Sequence, residues 1–332
     1  MHSDLNKHLE KAMQNGQSFV AWRLPFQQKV EQLGPAPESV WSGEPGKGFV
    51  FAPFDTADYP RLSIGMGAPL TETVTLPLIQ PKAKEAFIAY GQRSVEAIRQ
   101  RHFDKIVNAR VITLNHPNFN PIDHFTKLCH RYPSAFCYVW FSPSSGLWLG
   151  ASPELLLEKE GLHLKTMALA GPRVKNTEGF GSKEMEEQHL VLDYLVSELE
   201  KIGATCEVSE KVQGESGHLT HLKNEISAHL RQDKTPFDLA NILAPTPAVA
   251  GLPKDKAMKW IAEFEGNPRH YYAGYLGEIS GENANLFVNL RCMRAEGDTL
   301  YVYVGAGLTA DSDPELEWIE TEEKAKVVLM RD

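Results

Sequence analysis

Strand-like and helix-like segments follow one another in this chain without a repeating strand–helix–strand rhythm. That favours an α+β fold with large, mostly antiparallel sheets over a doubly wound parallel one. Residues 134–170 show it most clearly: SAFCYVWFS, GLWLGAS, ELLLEKEG and LHLKTMALAG are apolar runs separated by Ser and Gly turns, as in an antiparallel meander. Earlier strands are expected around FVAWRL, GFVFAPF and RLSIGMG, and KIVNARVI reads as a further strand. Helical spacing marks residues 3–14 and 82–101, the latter through Phe87, Ile88, Val95 and Ile98. It also marks 182–202, with Ser182 as N-cap, Met185, Leu192, Leu195 and Leu199 as the buried stripe, and Gly203 as the stop. No repeat, low-complexity linker or clear boundary divides residues 1–332. They read as one domain, with a short strand-rich part (1–80) ahead of the remainder (81–332).

The closing block points to chemistry. YYAGYLGEI, LFVNLRCM and YVYVGAGL lead through Gly305-Ala306-Gly307 into SDPELEWIETEEKAK. Asp313 is placed to cap, and Pro314 to start, a helix on which Glu317, Glu320 and Lys324 share a face. A solvated face, with Glu320 paired to Lys324 four residues on, would use the same residues. The glycines permit close backbone approach, and a helix N-terminus follows, which suits an anion or a metal-bound carboxylate.

Composition sets limits on the rest. With 42% hydrophobic and 23% charged residues over 332 positions, the chain can bury a sizeable core and is not of disordered type. Its formal charge of -9 argues against a nucleic-acid backbone as partner. Cys129, Cys137, Cys206 and Cys292 have no C-x-x-C spacing and read as free, reduced thiols. The opening MHSDLNKHLEKAMQNG lacks the apolar core of a signal peptide, and no stretch reaches membrane-spanning length, so a cytoplasmic protein without membrane contact is expected. His102, His124, His130, His189, His218 and His221 are scattered and read as structural or surface residues.

Four segments place an ionisable residue beside small or turn-forming ones. In DKIVNAR, Lys105 enters an apolar strand, where burial would lower its pKa and suit it to act as a base; a snorkelling edge lysine would look the same. In GASPELLL, Glu154 precedes three leucines, so a desolvated carboxyl with a raised pKa would suit acid catalysis. In SKEMEEQHLV and ELEWIETEEK, Glu187 and Glu320 lie on different helices and could converge on a hard cation, which prefers oxygen ligands.

Taken with ALAGPR, APTPAVAGLP, PRHYYAGYLGEI, LFVNLRCM and VGAGLTADSDPELEWIETEEKA, these strings resemble the chorismate-utilising enzymes in order and spacing over roughly residues 80–330. That family includes isochorismate, salicylate, anthranilate and aminodeoxychorismate synthases. The resemblance implies antiparallel sheets packed in a sandwich with helices outside, and chorismate as substrate. It also implies a magnesium ion held by Glu187 and Glu320, with Glu184 and Glu317 behind them. Arg291 would grip the enolpyruvyl carboxylate, and Lys324 would offset charge at the ring carboxylate. Gly305, Ala306, Gly307, Ala170, Gly171 and Thr246 would contact substrate. Members that add water carry lysine where Lys105 stands, whereas ammonia-using members typically carry glutamine. The nucleophilic lysine of aminodeoxychorismate synthase is replaced here by Ala170.

The resemblance therefore implies an isomerase that converts chorismate to isochorismate, with Lys105 as general base and Glu154 as general acid. No glutaminase partner is expected, and the chain would be a monomer or homodimer. Salicylate synthase, which also eliminates pyruvate, and a catalytically impaired binding protein are the alternatives. Three departures stand out: Ala244 replaces the histidine of H-P-T, so an imidazole expected near the cavity is missing; Pro172 replaces the threonine of A-G-T-R; and the region before residue 80 is short.

Overall fold

The computed structural model describes residues 2–71, 74–174, 180–216 and 219–331. Among these residues, strands form an eight-stranded and an eleven-stranded sheet, in which the pairings are antiparallel. Two sheets rather than one follow from where the aromatic residues point. Phe136, Tyr138, Trp140 and Trp148 of the first sheet meet Phe49, Phe51 and Phe287 of the second in one continuous core. Phe136 stacks on Phe287 at 4.3 Å and Phe51 lies 5.1 Å from Trp140, contacts that each add about 0.5–1.5 kcal/mol beyond burial.

Helices cover the outer faces. His2–Asn15 and Pro121–Arg131 lay Leu5, Leu9, Ile122, Phe125 and Leu128 on the back of the eight-stranded sheet. Ser182–Lys201 packs on the His163–Val174 and Leu219–His229 strands of the other. The helices expected at 3–14 and 82–101 are found as His2–Asn15 and Lys84–Arg99. Asp313 caps Pro314–Leu329 by accepting from the Glu315 amide at 2.9 Å.

Two expectations are corrected. Residues 134–170 are not one meander: Phe136–Ser142 and Gly146–Ser152 pair in the eight-stranded sheet, whereas Leu155–Glu160 and His163–Val174 pair in the other. The chain crosses at Ser152-Pro153-Glu154, where Pro153 has no N–H to continue a ladder. There Ser152 Oγ donates to the Val288 carbonyl at 2.5 Å and Val288 N donates to the Glu154 carbonyl at 3.0 Å. A second crossing lies alongside, between Asn283–Val288 and Cys292–Glu296, with Arg291 in left-handed backbone at φ 48°. The ends of the two crossings are stitched together, since Ala151 N donates to the Arg291 carbonyl at 3.1 Å.

The second correction concerns Ser182–Lys201. Met185 is 46% exposed, Leu192 is half-buried, and the buried stripe is Val191, Leu195 and Leu199. Glu187 occupies the inward face of the first turns, and Met185, two residues or about 200° away, must then point out. The N-cap position is Gly181, not Ser182, and the Glu184 carboxylate accepts from the Gly181 amide at 2.8 Å. The side chains of Pro172, Arg173 and Ser182, and all of His218, lie outside the described residues.

Candidate active site

The crossings place Glu154 and Arg291 between the sheets, and the start of Lys105–Asn115, the end of Thr299–Leu308 and two helices close the space around them. The resulting cavity of about 60 Å³ is lined by Glu154, Ala170, Gly171, Glu187, His221, Arg291, Gly305, Gly307 and Lys324, with Tyr272 and Tyr303 on its apolar side. Gly305 and Gly307 face it because alternate residues of a strand share a side, and Ala306 between them is turned away and fully buried.

Lys105 is fully buried behind this wall, and its Nζ lies 2.9 Å from Glu187 Oε1. Burial works against the Glu187 carboxylate, but Lys105, Lys183 and Lys324 outweigh it and hold its pKa below the usual range. The contact depends on Gly307: a Cβ there would stand 2.2 Å from Glu187 Oε1 and 3.1 Å from Lys105 Cε. Glu154 lies across the cavity. Burial pushes its carboxyl up to about 7, against the pull of Lys105, Arg291 and Lys324, with the buried Thr246 hydroxyl beside it but without an aligned hydrogen bond.

On the closing helix, Lys324 Nζ bridges Glu320 Oε1 at 2.7 Å and the Gly305 carbonyl at 2.6 Å. Glu317 pairs with Lys183, and burial with the neighbouring Glu320 raises its carboxyl to about 7. Four cations thus face four carboxylates, two of which are neutral or nearly so below pH 7, and the surplus of positive charge suits an anionic ligand. Lys105 Nζ, Thr246 Oγ1, Arg291 Nε and Glu317 Oε2 are buried without an aligned hydrogen-bond partner. A buried polar atom left in this state costs roughly 1–3 kcal/mol, and Arg291, which lines the cavity, would recover that cost by bonding a ligand there.

Metal fit can be judged from the donors. Among the described residues no three His, Cys, Asp or Glu side chains form a ready metal cage. Glu187 and Glu320 are nevertheless close enough to Glu317 to help raise its pKa, and Glu317 keeps an unsatisfied buried oxygen. Magnesium keeps several waters and takes one or two protein carboxylates plus substrate oxygens, so this donor set fits it and a dedicated cage is not needed.

Sequence reading missed two members. Lys183, four residues before Glu187, ties the two helices together through Glu317. His221, taken as a structural or surface residue, lines the cavity, and its Nε2 accepts from Arg291 Nη2 at 3.1 Å. Burial, then Arg291 and Lys324, hold that imidazole far below its ordinary pKa, so it is neutral. Burial also lowers Arg291 to about 10. The Ala244 departure falls elsewhere: Ala244 borders a separate cleft with Arg61, Asn241 and Lys254, and Lys254 donates to its carbonyl at 2.6 Å. Glu184 serves as the first-turn cap of its own helix.

The sequence profile of a chorismate binding enzyme matches residues 69–330. The chain belongs to this family. It is 31% identical over 246 residues to isochorismate synthase MenF of Escherichia coli K12, covering 70% of this chain and 56% of that protein. It is also 31% identical over 195 residues to anthranilate synthase component 1 of Methanothermobacter marburgensis, covering 54% of this chain and 42% of that one. The chain therefore spans about half the length of the curated relatives it matches. The solved structure of the menaquinone-specific isochorismate synthase MenF from Escherichia coli superimposes with a TM-score of 0.81 at 20% identity, over 96% of this chain and 89% of the other, which shows a shared fold. Relatives named for different reactions match at the same identity, so the branch of the family has to be argued from the site.

Proposed function

We propose that this chorismate binding enzyme is an isochorismate synthase, adding water at ring carbon 2 of chorismate and releasing the hydroxyl at ring carbon 4. The observation that carries this reading is a pair of buried ionisable groups at one cavity: Lys105, in the base position and bonded to the lining residue Glu187, and Glu154, whose carboxyl is pushed up to about 7. The curated relatives named isochorismate synthase support it as well.

Lys105, once in its uncharged form, takes a proton from water, and the hydroxide attacks ring carbon 2 as the double bonds shift. The bond from ring carbon 4 to oxygen breaks, and Glu154 gives its proton to the departing hydroxide, so one water enters and one leaves. The acid and the base need opposite protonation states at one pH, which the desolvated Glu154 supplies from its side. Arg291, steadied by neutral His221, presents its fork to the enolpyruvyl carboxylate. Glu187 and Glu320 would hold magnesium, which when bound would neutralise and orient the ring carboxylate. Gly307 gives Glu187 room to reach inward, and Lys324 fixes Glu320 against the Gly305 carbonyl.

The test is incubation of the protein with chorismate and magnesium, with products resolved by chromatography. Isochorismate that disappears in Lys105→Ala supports the reading. Salicylate with pyruvate, or an ammonia-derived product when ammonium is supplied, would overturn it.

A further inference from the structure

Lys105 is the first residue of Lys105–Asn115, and one edge of that strand is completed by side chains rather than by a strand. Gly251–Leu252 pairs with it at Ile106 and Lys105, and Val107 N donates to the Ala250 carbonyl at 2.8 Å. Beyond Ala250 the partner segment turns away, with Val249 N and Ala250 N both donating to the Thr246 carbonyl, at 3.1 and 3.0 Å. Two buried backbone groups of the strand, the Val107 carbonyl and Ala109 N, are met instead by an ion pair. Arg269 Nη2 donates to the Val107 carbonyl at 2.7 Å, and Glu265 Oε2 accepts from Ala109 N at 2.9 Å. The same guanidinium reaches across to the departing segment, where Nη1 donates to the Val249 carbonyl at 2.6 Å. Arg269 and Glu265 bond to each other as a fork, Nε to Oε1 at 2.6 Å and Nη2 to Oε2 at 2.5 Å, with both side chains buried. The Phe54 ring lies 4.4 Å from the guanidinium carbon and closes one face of it.

We propose that Arg269 and Glu265 are positioning residues for the reaction: their ion pair stands in for a partner strand beside Lys105–Asn115 and fixes Lys105 relative to the cavity wall. The inference rests on the reading of Lys105 as the base. Val107 and Val249, whose carbonyls the guanidinium holds, both line the cavity, and so does Tyr272, whose amide donates to the Arg269 carbonyl at 2.9 Å. One side chain thus ties three segments of the wall together. Lys105 lies two residues from Val107, or about 7 Å along the strand, so a shift of the backbone at Val107 is passed on to the lysine. An unpaired buried carbonyl or amide at this edge would be costly, which holds the strand to the ion pair. The task suits a guanidinium, whose fork meets both carboxylate oxygens while its outer N–H groups still reach two carbonyls. A lysine ammonium, with three donors on one atom, cannot span the same four acceptors.

The test compares the whole parent protein with Arg269→Lys and Glu265→Gln, assayed with chorismate and magnesium at a temperature where each variant is folded. The control is Arg23→Lys, which alters another buried arginine that donates to carbonyls, those of Tyr132, Pro133 and Ala135, but does not line the cavity. Both pair variants should lose at least about tenfold in kcat, because a misplacement of about 1 Å can cost on the order of 100-fold. KM for chorismate should change little, since Arg291 stands on a different crossing. Arg23→Lys should melt lower than the parent and keep its kcat. Parental kcat in either folded pair variant, a loss confined to KM, or an equal kcat loss in Arg23→Lys would overturn the positioning role. The parent separates this claim from the functional reading: another product from chorismate would overturn that reading, whereas isochorismate made equally well by parent and pair variants would overturn this claim alone.

Discussion

Replacing Gly307 by alanine isolates the geometry on which the proposed site depends. The backbone there is not left-handed, so the only new element is one methyl group. That methyl would stand 2.2 Å from Glu187 Oε1, and since ordinary contacts are not shorter than 3.0 Å, the carboxylate must retreat by at least about 0.8 Å. Lys105 Cε, at 3.1 Å from the new atom, would be crowded too. Overpacking of this size costs about 1–3 kcal/mol, which for a chain of this length lowers the melting temperature by roughly 1–4 °C. The catalytic effect should be larger, because displacing a reacting or metal-holding group by about 1 Å can cost on the order of 100-fold in rate. Gly305→Ala is the comparison: its methyl would meet the Tyr272 hydroxyl at 2.8 Å and leave the Lys105–Glu187 contact alone. The assay is steady-state isochorismate formation beside a thermal melt. A folded Gly307→Ala protein with unchanged turnover would refute the assignment of Glu187 and Lys105 to the reacting centre.

Other expectations follow from the same charges. Because burial raises the folded pKa of Glu154 above its unfolded value of 4.5 to about 7, the folded state holds the proton more tightly, and its contribution to stability is lost as pH rises from about 4.5 through 7. Glu154→Gln should therefore melt higher than the parent at pH 8, by up to about 3 kcal/mol, while losing turnover; an unchanged or lower melt would count against a desolvated acid. Lys105→Ala leaves Glu187 buried without its nearest cation and should destabilise by up to about 3–5 kcal/mol, less whatever Lys183 and Lys324 recover, a loss that chemical denaturation would measure. His221→Ala should raise KM more than it lowers kcat, since it frees Arg291 without touching Lys105 or Glu154; a pure kcat loss would place the imidazole in the chemistry instead. Magnesium should raise the melting temperature further when chorismate is present, and EDTA should abolish that increment.

What was legible in the sequence was local. Helical spacing alone brought Glu317, Glu320 and Lys324 to one face, and the structure shows Lys324 bonded to Glu320 and Glu317 buried. The turn composition around Glu154 announced a break in the strands, but not that the chain changes sheet there. Sheet membership depends on partners far along the chain, here Val288 and Arg291. For the same reason His221 could not be placed: a lone histidine in a strand has no local signal for the cavity it faces, which is set by Arg291 from the other crossing. Met185 fits the apolar spacing of its helix, and it is exposed because Glu187 takes the inward direction at a site that needs a carboxylate. Apolar periodicity fails where function puts charge inside, and that failure is itself a pointer to the site.

Water addition at ring carbon 2 is tested most directly by oxygen labelling. Chorismate converted in water enriched in oxygen-18, with magnesium and enough enzyme to limit reversal, should give isochorismate carrying one heavy oxygen in its ring hydroxyl, read by mass spectrometry. Isochorismate formed without the label would mean that the hydroxyl migrates within the substrate, and the roles given to Lys105 and Glu154 would be wrong.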